Sequence, residues 1–123
     1  MPTNEICRLS AHDLAALLSN GSLTAETVMD AVLTRCAETQ VSLNAFALID
    51  EVGARKAACD ADAARARGSN LGPLHGIPFS VKDLIHTKDL ETAFGSHLMA
   101  GNISDHDAHA VARLKEAGAI LIG

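Results

Sequence analysis

Aromatic side chains are nearly absent. The 123 residues include three Phe and neither Trp nor Tyr. Aromatics supply the largest buried area per residue, so a core built from this chain has to be thin. Their absence also argues against a base-stacking reader of single-stranded nucleic acid. Positive charge is short as well. Ten Lys and Arg stand against fifteen Asp and Glu, a net charge of −5, and a duplex-binding module needs a basic face. No contact with nucleic acid is expected. No apolar run approaches the roughly 18–20 residues that span a bilayer. Met1 to Arg8 carry Asn4, Glu5 and Arg8 and no apolar signal core. No membrane partner is therefore expected, and a cytoplasmic location follows by default. Cysteine is scarce. Cys7, Cys36 and Cys59 are odd in number, far apart and form no C-x-x-C pair, which argues against a disulfide framework or a zinc knuckle. Cys36 and Cys59 fall in helical patterns and read as small buried hydrophobes.

What remains is a globular composition, 48% hydrophobic and 20% charged, of a length suited to one ordinary domain and too short for two. Glycine and proline divide it. Up to Arg67 there are only Gly21, Gly53 and Pro2, whereas seven glycines, Pro73 and Pro78 follow. The first half reads as helix and the second as loops and strands.

Ser10 is a natural N-cap. Asp13 is placed to close a capping box, Leu9 and Leu14 occupy the staple positions, and Gly21 is the stop. Thr24 opens a second helix with Leu23 and Val28 as its staple. Its apolar stripe runs through Ala25, Val28, Met29, Val32, Leu33 and Cys36. The run Asn44 to Asp50 is a strand or an extended segment. Glu51 to Arg67 is a third helix, whose stripe of alanines (Ala54, Ala57, Ala58, Ala61, Ala64) permits close approach but buries little area.

Beyond a turn-rich approach at Gly72 to Gly76, Ile77 to Val81 reads as a strand, with Pro78 at its start or on an edge. Asp107 to Ala117 is expected to be a helix stopped by Gly118. Ala119 to Ile122 is the continuous apolar run of a strand buried on both faces of a parallel sheet. Together they make a βαβ unit. Such a strand needs neighbours on both edges and helices on both faces. The expectation is therefore that this is the N-terminal piece of a larger α/β protein.

In open α/β sheets, sites form at the carboxyl ends of strands. Lys82 and Asp83 stand at such an end. A desolvated lysine there loses its proton more readily and can act as a base. The competing reading is a surface Lys-Asp pair that caps the strand. A second cluster, Asp105, His106, Asp107 and His109, places His106 and His109 three residues apart on a helix start, within reach of one zinc ion. The competing reading is that Asp105 or Asp107 caps that helix. The capping reading is preferred, so no metal and no cofactor is expected.

The run GPLHGIPFSVKDLIHTKDLETAFGSHLMAG, followed by DHDAHAVARLKEAGAILIG, resembles the opening of the amidase signature family. The G-P-L-x-G-I-P-x-x-V-K-D and D-A-x-x-V-x-R-L-x-x-A-G-A-I motifs carry the likeness over Gly72 to Gly123. The helices from Leu9 to Gly68 are similar more loosely. The resemblance implies an α/β fold: an N-terminal helical layer (1–68), then the first βαβ part of a mixed, mostly parallel sheet (69–123). All of it would be one incomplete amidase signature domain, 1–123. It also implies a small-molecule carboxamide substrate hydrolysed by a Ser-cisSer-Lys triad, with Lys82 as the family lysine. Both triad serines lie past the matched motifs in family members, and no Gly-Ser-Ser-Gly run occurs in this sequence. Ser80 matches a position usually held by a small residue, and Ser96 a glycine-serine loop step. Two positions depart from the pattern. Asp89 stands where a loop glycine is usual, and Leu84 where the tRNA-dependent amidotransferase subunit usually has Asn. A broad amidase is the first expectation. Part of that tRNA-dependent amidotransferase subunit, or a non-catalytic interaction fragment, is the alternative. Self-association through an exposed sheet edge is expected of the chain alone.

Overall fold

A computed structural model describes residues 1–123. The chain is α/β, with four helices preceding a two-stranded parallel sheet. The helices are α1 (Thr3–Ile6), α2 (Ala11–Ser19), α3 (Ala25–Leu43) and α4 (Glu51–Ala66). After them come β1 (Pro78–Phe79), a 3-10 turn (His97–Met99), α5 (His109–Glu116) and β2 (Ile120–Leu121).

The helix starts follow the cap chemistry. Ser10 Oγ accepts the Asp13 N–H and Thr24 Oγ1 the Thr27 N–H, both at 3.1 Å. The Asp13 carboxylate accepts a hydrogen bond from the Ser10 hydroxyl at 2.7 Å, where a capping box would have it accept from the Ser10 backbone N–H. Asp62, in the C-terminal half of α4, reaches across to the start of α3. Its two oxygens accept the Ala25 and Glu26 N–H groups at 2.8 and 3.0 Å. A helix N-terminus is thus closed by a carboxylate 36 residues away from Glu26 in sequence, which the positive end of the dipole favours.

The core lies where α3 meets α1, α2 and α4. Val28, Met29, Ala54 and Ala58 are essentially inaccessible, and side chains of the size of Val28 and Met29 stabilise by about 1.5–3 kcal/mol each when buried. Ala31 joins the expected stripe of α3, while Val32 is only partly covered. Cys36 is buried as expected, and that burial pushes its thiol up from its usual value. Cys59 corrects the expectation of burial. It is exposed, because it follows Ala58 by one residue and so points about 100° around the helix from the buried stripe. A further difference is α1, which the sequence pattern left unmarked. Its Ile6 is buried against the core, but four residues are too few to show a helical period.

The expected strand over Ile77 to Val81 pairs as a ladder only at Pro78 and Phe79, aligned with Ile120 and Leu121. Ile120 donates to Ile77 O and Ile122 to Phe79 O. Successive backbone groups on a strand point to opposite edges, so the nitrogen of Pro78 faces away from β2 and its missing N–H costs this ladder nothing. Asn44 to Asp50 forms no strand; it meets the sheet through the Asp50 N–H on Ile122 O at 3.0 Å. The C-terminal helix begins at His109, two residues later than expected. Asp107 does not cap it, because its carboxylate accepts the Lys88 N–H at 2.7 Å and the Lys115 ammonium at 2.9 Å.

Two glycines explain how the 72–76 turn sits so close to the start of β2. A Cβ at Gly72 would lie 2.3 Å from the Ala117 carbonyl oxygen, and one at Gly118 (φ +93°) 2.8 Å from the His75 Cα. The close approach lets Leu74 N–H reach Ala117 O and Gly76 N–H reach Gly118 O, both at 2.9 Å. The same Gly118 closes α5 with N–H groups of residues 118 and 119 on Lys115 O and Leu114 O, the Schellman pattern.

Candidate active site

At the carboxyl end of β1 the backbone is held from both sides of one residue. Val81 N–H donates to Gly123 O at 3.1 Å, and Lys82 O accepts the Leu84 and Ile85 N–H groups at 2.7 and 3.0 Å. The chain therefore leaves the sheet and turns sharply at Lys82, which fixes the point from which its side chain departs. The side chain itself is exposed. None of the six ion pairs in the chain involves it. The expected shielding of Lys82 from water is thus not provided by these 123 residues.

Lys82 opens onto a cleft of about 560 Å³ beyond the ends of β1 and β2. One wall is the segment 45–48, the other runs from Ser80 to Asp83, and Gly123 lies between them. Ile85, Thr87, Leu90 and Glu91 complete the lining. The 45–48 wall is positioned by Gln40. The side-chain amide of Gln40 donates to Phe46 O at 2.8 Å and accepts the Phe46 N–H at 3.1 Å, replacing the strand partner that this segment lacks. Asn44, at φ +47°, turns the chain out of α3 towards it.

Asp83 does not pair with Lys82. Its carboxylate accepts the Ala93 N–H at 2.8 Å and the Gly95 N–H at 3.5 Å. It thereby anchors a loop in which Phe94 and Gly95 both have positive φ, +55° and +67°. From the other side, Thr92 and Asn102 exchange two hydrogen bonds of 2.9 Å. Thr92 is almost wholly buried, and its Oγ1 has no partner. Asp89 has φ +64°, the left-handed conformation that glycine adopts without strain. The turn after Lys88 is thus retained with an aspartate in it.

The remaining sequence candidates separate. Ser80 is exposed beside Lys82 in the cleft wall. Ser96 lies outside the cleft lining, and its Oγ accepts the Leu98 N–H at 3.3 Å at the start of the 3-10 turn. The acidic and histidine cluster is dispersed among other partners. Asp105 holds His106 Nδ1 at 2.7 Å, and that bond together with the His106 charge keeps its carboxyl below the usual range. Asp107 faces Lys88 and Lys115, and His109 is exposed on α5. No three His, Cys, Asp or Glu side chains converge as a ligand set. No helix is long and apolar enough to cross a membrane. Sequence reasoning missed Gln40, the Asp83 anchor and Glu91. Only Asp83 had a local signal, its position directly after the strand-end lysine.

The Amidase family model matches residues 27–123. Among curated proteins, a glutamyl-tRNA(Gln) amidotransferase subunit from Cutibacterium acnes is 38% identical over 120 residues, covering 98% of this chain and 24% of that protein. The subunit of the same name from Roseiflexus sp. is 42% identical over 116 residues, 94% of this chain and 24% of that one. Among solved structures, native peptide amidase from Stenotrophomonas maltophilia superposes with a TM-score of 0.89 at 33% identity, covering 99% of this chain and 25% of that one. Fatty acid amide hydrolase superposes at 0.90 with 28% identity, over 98% and 21%. The chain thus spans about a quarter of the length of the curated relatives it matches.

Proposed function

The chain belongs to the amidase family, and from that premise we propose that it carries the base, Lys82, of an enzyme that hydrolyses carboxamide C–N bonds. The observation that supports this most is the placement of Lys82, unpaired and facing a cleft at the carboxyl end of a parallel strand. Neutral Lys82 would take a proton through a bridging serine from a nucleophilic serine, whose Oγ attacks the amide carbonyl. Collapse of the tetrahedral adduct breaks the C–N bond, and the proton returns to the leaving ammonia or amine. Water then attacks the acyl-enzyme and releases the carboxylate.

In this reading the two serines, and the groups that shield Lys82 from water, come from polypeptide outside residues 1–123. The finer architecture follows from it: residues 1–68 as a helical layer and 69–123 as the first βαβ part of a mixed, mostly parallel sheet, within one domain. The outer edge of β1, facing away from β2, is the surface through which the chain alone would self-associate. The test is ammonia release from simple carboxamides by the 123-residue chain and by the complete polypeptide. Release by the complete polypeptide alone is expected. Lys82-dependent turnover by the 123 residues would overturn the assignment of the serines to other polypeptide.

A second reading is favoured by the names of the curated relatives, which are subunits of glutamyl-tRNA(Gln) amidotransferases. It uses the same cleft and the same lysine, and differs in delivering the ammonia to a bound acceptor rather than to water. Efficient free-ammonia release without other subunits separates the two in favour of the amidase.

A further inference from the structure

Lys82 and Glu91 line one cleft without pairing: no contact within 4.0 Å joins them, and Glu91 takes part in none of the ion pairs of the chain. The other carboxylate at this cleft, Asp83, is occupied by the Ala93 and Gly95 N–H groups. Glu91 is half-buried, and its backbone is fixed. It bridges Ile103 in antiparallel fashion and directly precedes Thr92, which is tied twice to Asn102. Much of the surrounding lining is apolar, from Phe46 and Leu48 to Ile85 and Leu90. No protein cation pairs with this carboxylate, so a ligand cation entering the cleft would meet it unopposed. If Lys82 works as a base it is neutral when substrate binds, and Glu91 is then the one unpaired charge that residues 1–123 bring to the cleft.

We propose that Glu91 determines substrate class by pairing with an ammonium group on the substrate, so that the cleft takes carboxamides bearing a protonated amine, such as amino-acid amides, in preference to uncharged ones. This rests on the reading of the cleft as an amide site and adds to it the charge of the ligand. The apolar walls then receive the side chain, and the charge-assisted hydrogen bond to Glu91 orients the amide.

The test is a nuclear magnetic resonance titration of the complete polypeptide, in its Lys82→Ala form so that bound amide is not turned over, with two amides of the same skeleton. One is L-leucinamide, at a pH where its amine is protonated, and the other is 4-methylpentanamide, which lacks the amine. Leucinamide is expected to shift resonances of residues 45–48 and 80–83 and to bind at least about 10-fold more tightly. Glu91→Gln, with its spectrum otherwise preserved, should abolish that preference. Equal binding of the two amides, a preference that survives Glu91→Gln, or no shift at the cleft with either amide would each overturn the proposal. The role of Lys82 is read separately. A Glu91-dependent preference without Lys82-dependent ammonia release by the complete polypeptide would leave the ammonium site standing and remove the base.

Discussion

Asp83 Oδ1 accepts the Ala93 N–H at 2.8 Å, so the residue after the strand-end lysine holds a loop ten positions further on. A hydrogen bond to a charged acceptor contributes on the order of 1.5–3 kcal/mol, and half-burial places this one towards the lower end. Asp83→Ala is expected to raise amide hydrogen exchange at Ala93 and Gly95 about 10-fold or more, with little change at the buried α3 amides. Unchanged exchange at Ala93 would show that the loop is held by Thr92 and Asn102 alone.

Asp89 stands at φ +64°, where a side chain is strained and glycine is not. Asp89→Gly should therefore stabilise the chain, by about 0.5–1 kcal/mol at most, because the added freedom of the unfolded glycine offsets part of the relief. The check is the denaturant midpoint, which should rise at constant slope. A lower midpoint would mean that the aspartate side chain contributes more than its backbone conformation costs.

Asp107 sets a dependence on acid. Burial pushes its carboxyl up, but the hydrogen bonds from Lys115 Nζ and the Lys88 N–H, with both ammonium charges, leave it below its ordinary value of 3.8. A carboxyl group whose folded value is depressed stabilises the fold above the unfolded value, and this is lost as pH falls through the folded one. Between about pH 5 and pH 2 the melting temperature should thus fall more steeply for the wild-type chain than for Asp107→Asn. Parallel curves for the two would contradict the pairing.

Much of this was legible in the sequence where one local pattern decides the outcome. Ser10, Thr24 and Gly118 mark helix ends through bonds made within a few residues, and the alanine stripe of α4 follows from helical period alone. The strand-end position of Lys82 was legible for the same reason. Tertiary partners were not. Asp62 capping α3 and Asp107 accepting the Lys88 N–H join residues 37 and 19 apart, and Gln40 reaches Phe46, six residues on, only through the left-handed turn at Asn44. Cys59 went astray because a helical residue one step from a buried stripe looks equally apolar in composition. The cleft was half legible. Its lysine followed from the strand, whereas Glu91 and the 45–48 wall reach it only through the folded path of the chain.

The central claim is that Lys82 is the base of carboxamide hydrolysis. The direct measurement is the rate of ammonia release by the complete enzyme and by its Lys82→Ala variant, at equal enzyme and saturating carboxamide. General acid–base groups of this kind supply about 10²–10⁴-fold, so a loss of that size is predicted. In the 123-residue chain, where the side chain is exposed and has no ion-pair partner, the same substitution should leave the melting temperature nearly unchanged. Near-normal ammonia release by Lys82→Ala would contradict the account.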